Sequence, residues 1–409
     1  MKKLVFTLGL CMVTVVCFGQ KKNVAEALKL AKDAKPNFPE ARTKIKAALQ
    51  NDETKNDAKT WFTAGQIEDI QFSKENTKLM LGQQPNESVM YEALFNIYPY
   101  FEKAYELDLL PDAKGNVKPK YVKDMKSILR LNLPYYINGG GYFAEQQKNS
   151  KKAFEYFDLF VTIHDSPLMT SGEPATTTPD SNYIFANYYA ARFAVSASLD
   201  NNTIIQMLKR AIPVNFDQNY LYQLLAETYK IADDMENFEK TLDEGLSLYP
   251  TETYFLRNLI RLFLDTERND KALEYTVAAI KVDPSNAQLY HIAGFIYEKN
   301  FNDFVKAEEH LKKAIELDSE SAEYQTTLGL FYFNQGVTQL DIANEIADVK
   351  KYNEEREKVK DFFRKALPYF EKAFSLEPEA KENKIALRSI YYTLDMGDKL
   401  DEIEKLIEE

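Results

Sequence analysis

A 34-residue interval constrains this chain more than any other feature. Tyr222, Leu225, Ala226 and Tyr229 stand at a spacing of three, one and three residues. Leu256, Leu259, Ile260 and Phe263 repeat it 34 residues later, and Tyr290, Ala293, Gly294 and Tyr297 after another 34. Such positions share one helical face. A second helical pattern follows the later two sets. Ala272, Thr276 and Ala279 end at Pro284, and Ala307, Leu311 and Ala314 end at Ser319. Each unit thus predicts two amphipathic helices and a short turn. Small residues such as Ala226, Gly294, Ala307 and Ala314 let backbones approach, and Tyr229, Phe263, Tyr297 and Leu311 fill the remaining space. Asp283-Pro284 marks a boundary, because proline cannot continue the preceding helix. One helical pair cannot bury both its faces, so stacking of about three or more is required.

Aromatic-x2-Leu-Gly-x2-Tyr, then Ala-x3-large-x2-Ala, then Pro, resembles the tetratricopeptide repeat (TPR) family. The resemblance covers most of the chain after residue 20 and is densest from Tyr220 to Pro378. It implies an all-α, TPR-like α-solenoid of about nine helical hairpins. Two hairpins depart from the pattern by having extended arms. Trp61, Ala64 and Gly65 match three slots of a first helix, with Glu68 where the family has Tyr and Ile67 beside it. The matching second helix, with Pro99-Tyr100-Phe101-Glu102-Lys103-Ala104-Tyr105, begins at Ile97, 29 residues after Glu68. Near the other end, Leu328, Gly329 and Tyr332 open a helix whose partner begins at Ala366, 34 residues after Tyr332. That partner carries Pro368-Tyr369-Phe370-Glu371-Lys372-Ala373-Phe374, nearly the same run. The second arm (335–365) is apolar at Val337, Leu340, Ile342, Ile346, Val349 and Tyr352.

The expected organisation is a leader at 1–19, an N-terminal array at 20–165 with one long-armed repeat, an exposed loop or hinge at 166–182, and a C-terminal array at 183–409. The second array ends in a charged helical cap. Between the arrays' clear repeats, Tyr121 to Gln147 reads as helix interrupted by Pro134 and by Gly139-Gly140-Gly141.

Lys2 and Lys3 followed by the apolar run Leu4 to Val16, with Cys17-Phe18-Gly19 before Gln20, form a secretory signal pattern. The run is too short to span a bilayer. A periplasmic or secreted location is expected. A lipid anchor on Cys17 is disfavoured, because Val16 stands where a lipobox wants a small residue. Both cysteines, Cys11 and Cys17, lie inside this leader, so a chain starting at Gln20 can form no disulfide and offers no thiol. Loss of Lys2 and Lys3 takes the formal charge from −12 to −14. That balance argues against nucleic acid and anionic lipid. The leader and long arms also resemble exported TPR proteins of Bacteroidota-type bacteria.

Catalytic and metal chemistry find little footing. His164, His291 and His310 are not at metal-ligand spacing. Gly139-Gly140-Gly141 lacks the strand before it and the Lys-Ser/Thr after it that a phosphate loop needs. Close helix packing or a break between helices is the preferred reading. No cofactor, metal or catalytic residue is assigned.

Binding remains. The family resemblance implies a concave groove lined by first helices, with ligands held at four slots of each repeat. Here those slots carry Tyr220, Gln223, Glu227 and Lys230, then Tyr254, Arg257, Arg261 and Leu264, then Gln288, His291, Phe295 and Glu298. Arg257 and Arg261, four apart, share one face, and two guanidinium groups suit a peptide carboxylate. Pairing of both arginines with acids such as Glu227 or Glu298 is the competing reading. The family's chaperone-tail clamp is not matched by Gln223/Glu227 or His291/Phe295. The expected function is a non-enzymatic protein- or peptide-binding scaffold of the cell envelope, with homodimerisation through the arms as an option. The alternative is a glycan- or nutrient-binding component of an outer-membrane uptake system.

Overall fold

The computed structural model describes residues 21–172 and 180–408. The expected leader, with Cys11 and Cys17, and positions 173–179 of the expected loop lie outside the described residues. Among the described residues there is no strand. None of their helices is long and apolar enough to cross a membrane. The fold is an all-α array of helical hairpins, in two compact units that meet in sequence between Phe238 and Glu239.

The first unit holds α1 (21–32), α2 (Phe38–Gln50), α3 (Ala58–Met80), α4 (Glu87–Asp108), α5 (Val122–Glu145) and α6 (Ser150–Asp165). It continues with α7 (Pro167–Thr170), α8 (Ser181–Ser196), α9 (Asn201–Ala211) and α10 (Gln218–Ile231). Helix α11 (Met235–Leu248) carries the division. Asn37, Asp57, Asn86, Asn149, Asp180 and Asp200 each cap a helix by accepting a backbone N–H. This is the role for which short polar side chains are favoured at N-termini.

Helices α3 and α4 are 23 and 22 residues long, so the expected long hairpin forms. Its odd slot is explained by an ion pair. Glu68 is buried, and Arg42 of α2 donates to both its oxygens, Nε to Oε1 at 2.8 Å and Nη2 to Oε2 at 2.5 Å. Ile67 beside it is fully buried against α1 and α2. A charged link therefore replaces the aromatic plug expected there.

Helix α5 runs unbroken through Pro134 and the three glycines, contrary to the interruption expected from sequence. Pro134 lies on the exposed side, where water can take the carbonyl that proline leaves unbonded. Gly139 and Gly140 are packing residues. A Cβ on Gly139 would stand 2.4 Å from Tyr156 Cδ1, and one on Gly140 would stand 2.6 Å from Phe157 Cζ. Helix α6 can thus lie close against α5. Around this contact the core is rich in tyrosine. The Tyr136 hydroxyl donates to Leu94 O at 2.8 Å, and that of Tyr156 to Tyr91 O at 2.6 Å. Both hydroxyls are buried and both are satisfied, which is what such burial requires. The start of the expected loop is itself packed. Ser166 caps α7, and Leu168 is buried.

The second unit continues from α11 with α12 (Thr253–Asp265), α13 (Asn269–Val282), α14 (Ala287–Lys299) and α15 (Phe304–Leu317). Then come α16 (Ala322–Asn344), α17 (Val349–Leu376), α18 (Lys381–Thr393) and α19 (Gly397–Glu408). Helices α12 to α15 are 13 or 14 residues long, whereas α16 and α17 have 23 and 28. The second long arm is therefore present. Leu340, Ile346 and Tyr352 are partly buried in it, while Val337, Ile342 and Val349 are exposed.

The period is written in the backbone as well. Asp233, Glu267 and Asn302 all have left-handed φ, at 58°, 56° and 53°. The next residue closes each helix end. Asp234 N–H donates to Tyr229 O at 2.9 Å, Arg268 N–H to Phe263 O at 2.7 Å and Asp303 N–H to Tyr297 O at 2.9 Å. The aromatic residue of the fourth slot thus also supplies the carbonyl that terminates the first helix.

Candidate functional site

Helix α12 begins with Glu252 accepting the Tyr254 N–H at 3.2 Å. It places Arg257 and Arg261 on its exposed face. Arg261 Nε stands 3.6 Å from Asp265 Oδ2 one turn on, and both side chains are largely exposed. A pair of that kind is worth about 0–1 kcal/mol and exchanges readily. Arg257 has no ion pair among the described residues. It stands instead on the wall of a cleft of about 580 Å³. Leu256 and Ile260 of α12, Ala279 of α13, and Leu289 and Ile292 of α14 give the cleft an apolar lining. Gln288, also exposed, shares the wall. The cleft thus offers a largely apolar interior with Arg257 and the acidic residues Glu252, Glu274 and Asp283 on its walls.

The other expected residues of α14 are placed differently. The His291 ring is partly buried, with Nε2 2.9 Å from Thr327 Oγ1 and Nδ1 3.8 Å from Glu323 Oε1. Burial holds its pKa below the ordinary value, with Glu323 partly opposing the shift. His291 therefore ties α14 to α16. Glu298 is buried and pairs with Lys299 at 2.6 Å. Phe295 is exposed.

The four expected residues of α10 belong to the first unit. Tyr220 is exposed, and its ring centre is 5.8 Å from the Arg192 guanidinium of α8. Gln223 Nε2 donates to Asn219 Oδ1 at 3.1 Å. Glu227 is partly exposed. The Lys230 ammonium lies 5.8 Å from the Phe238 ring centre.

The acids named as possible arginine partners are not the ones found, since Arg261 pairs with Asp265 and Glu298 with Lys299. The cleft itself was not anticipated. Its signal was present, however. Ile260 occupies the slot that holds Ala226 and Gly294 in the neighbouring repeats. In the third repeat, a Cβ on Gly294 would come within 2.7 Å of Leu311 Cγ. A large residue in a close-approach slot keeps helices apart, and Ile260 lines the opening. Arg192 was also missed: Tyr188 and Tyr189 lie one turn before it on α8, but the third ring, Tyr220, comes from α10. Among the described residues, no three His, Cys, Asp or Glu side chains gather as metal ligands.

Residues 287–321 match the family model described as tetratricopeptide repeat. The antiviral innate immune response effector IFIT1 of Macaca fascicularis is 22% identical over 269 residues, which cover 64% of this chain and 52% of that protein. The chain thus spans about half the length of that relative. Among solved structures, a tetratricopeptide repeat protein from Parabacteroides merdae is similar at 15% identity and a TM-score of 0.38, over 55% of this chain and 79% of that one. A TPR repeats protein from Bacteroides fragilis is similar at 19% identity and a TM-score of 0.32, over 64% and 98%. Paired helices at a 34-residue period, left-handed turns recurring with them, and the match over 287–321 make this chain a tetratricopeptide-repeat protein.

Proposed function

We propose that this chain is a non-enzymatic scaffold of the cell envelope that holds a peptide segment of a partner protein at the α12–α14 cleft. Tetratricopeptide-repeat proteins are generally non-catalytic, protein-binding scaffolds, and their stacked hairpins provide extended binding surfaces. The observation that carries the reading is Arg257, without an ion pair, on the wall of an apolar cleft. One large apolar side chain seated there contributes about 1.5–3 kcal/mol. A carboxylate of the same segment meets Arg257, with Arg261 one turn away. The weak Arg261–Asp265 contact offers little resistance to exchange.

The expected compartment follows from the leader pattern at 1–19. Intact-mass analysis of the protein from cells tests it. A chain beginning at Gln20 supports export, and an unprocessed cytoplasmic chain removes the envelope from the reading. Self-association through Val337, Ile342 and Val349 of the second arm is a further part of the proposal. Light scattering on the purified protein tests that part, and a monomer at high concentration ends it.

The test of binding is a pull-down from envelope extract with wild type and with Arg257→Ala/Arg261→Ala. The double variant is expected to lose a discrete partner. An unchanged set of partners overturns the assignment.

A further inference from the structure

Helix α8 presents an arginine embedded in tyrosine rings. The Arg192 guanidinium carbon is 5.6 Å from the ring centre of Tyr188, 5.7 Å from that of Tyr189 and 5.8 Å from that of Tyr220 on α10. Arg192 is exposed and has no ion pair among the described residues. The nearby carboxylate of Asp217 is engaged otherwise, accepting from the Tyr188 hydroxyl at 2.6 Å. The surrounding rings interlock. Phe185 and Tyr189 are 4.3 Å apart, and Tyr188 and Phe216 are 4.8 Å apart. Phe185, Phe216 and Tyr220 are between 37% and 44% exposed, so the rim of the patch is apolar and open to solvent.

We infer that this patch is a second binding surface, specific for a short polypeptide segment in which one Asp or Glu is flanked by apolar side chains. The rings hold the guanidinium over their faces, so part of its side-chain freedom is already lost before binding. Its outer N–H groups remain available, and their planar fork matches a carboxylate through two parallel hydrogen bonds. The exposed Phe185 and Phe216 then cover the neighbouring apolar residues of the ligand. A long acidic tract is a poorer fit, because the chain carries a formal charge of −12 and repels it at a distance. A neutral glycan is disfavoured for a different reason. The guanidinium stands over three tyrosine rings that a sugar would need for stacking. This surface lies in the first unit and does not depend on the Arg257 cleft of the second.

The test is a fluorescent array of N-acetylated, C-amidated hexapeptides. Each carries one Glu or Asp flanked by Phe, Leu, Val or Gly, and each has a Gln or Asn counterpart. Wild-type protein is expected to bind the acidic members with Phe or Leu flanks at least tenfold more tightly than their amide counterparts. Arg192→Gln should abolish that preference. Arg192→Lys should recover little of it, because an ammonium lacks the planar fork. Arg257→Ala/Arg261→Ala should keep it, which separates this inference from the cleft assignment. An unchanged melting temperature of Arg192→Gln confirms that folding is not the cause. The inference is overturned by the absence of acid-dependent binding, or by equal binding to Arg192→Gln. Binding of maltohexaose that survives Arg192→Gln also overturns it and makes the patch a glycan surface.

Discussion

Gly139, Gly140 and Gly141 are consecutive residues of one helix, yet alanine should act on them with opposite signs. Helix propensity alone favours Ala over Gly by about 1 kcal/mol at each position. Packing opposes this at the first two. A Cβ on Gly139 would meet Tyr156 Cδ1 at 2.4 Å, Tyr156 Cε1 at 2.6 Å and Tyr91 Cδ1 at 3.2 Å. The Tyr156 ring cannot swing aside cheaply, because its buried hydroxyl bonds Tyr91 O and four further rings surround it. Overpacking costs about 1–3 kcal/mol, and loss of the hydroxyl bond about 1 kcal/mol more. After the propensity gain, Gly139→Ala should lose about 2 kcal/mol, or ~4–8 °C in Tm for a unit of this size. Gly140→Ala should behave similarly against Phe157, whose ring atoms lie at 2.6 to 2.9 Å. At Gly141 a Cβ would meet nothing within 4 Å, so Gly141→Ala should gain up to about 1 kcal/mol. Trp61 is the only tryptophan and packs against the same core cluster, so its fluorescence during urea unfolding reports on the first unit alone. Stabilisation by all three substitutions would refute the packing argument, as would a destabilising Gly141→Ala.

Two more outcomes follow from buried charge in the same unit, both read through Trp61. Arg42→Met strands the Glu68 carboxylate and should cost about 3 kcal/mol, while Arg42→Met/Glu68→Leu should recover most of that loss; a double variant as unstable as the single one contradicts this. Burial raises the Asp69 carboxyl above the ordinary 3.8, with the Asn132 hydrogen bond partly offsetting it. The folded state then keeps this proton to higher pH than the unfolded chain, so ionising Asp69 costs stability as pH rises through the folded value. Asp69→Asn removes that cost and keeps an acceptor for Asn132 Nδ2, now 2.7 Å from Asp69 Oδ1. It should stabilise at pH 7.5, with the gain vanishing below about pH 3.8; a loss at pH 7.5 would contradict the burial argument.

The repeat architecture was legible because its signals are local. Tyr222 to Tyr229 and Leu256 to Phe263 each lie within two helical turns, and the delayed second helices at Ile97 and Ala366 gave both arms by spacing alone. What remained hidden depends on contacts between distant segments. Three glycines in a row read equally as a break or as a close helix contact until the rings of Tyr156 and Phe157 are set against them. Glu68 reads as a flawed slot until Arg42, 26 residues earlier, is placed beside it. Of the expected groove residues, Arg257 and Arg261 were legible as a shared face. The partner of His291 was not, since it comes from α16. Ile260 was the one sequence trace of the cleft, and its meaning lies in the contrast with Ala226 and Gly294.

The most direct test places a photo-crosslinking p-benzoylphenylalanine at Gln288 on the cleft wall, and separately at Lys281 on α13, in intact cells. Irradiation should give a discrete adduct from position 288, reduced at least tenfold when Arg257 and Arg261 are both alanine, and none of that size from position 281. No adduct from 288, an adduct indifferent to the two arginines, or the same adduct from both positions would contradict the cleft as the place where this scaffold holds its partner.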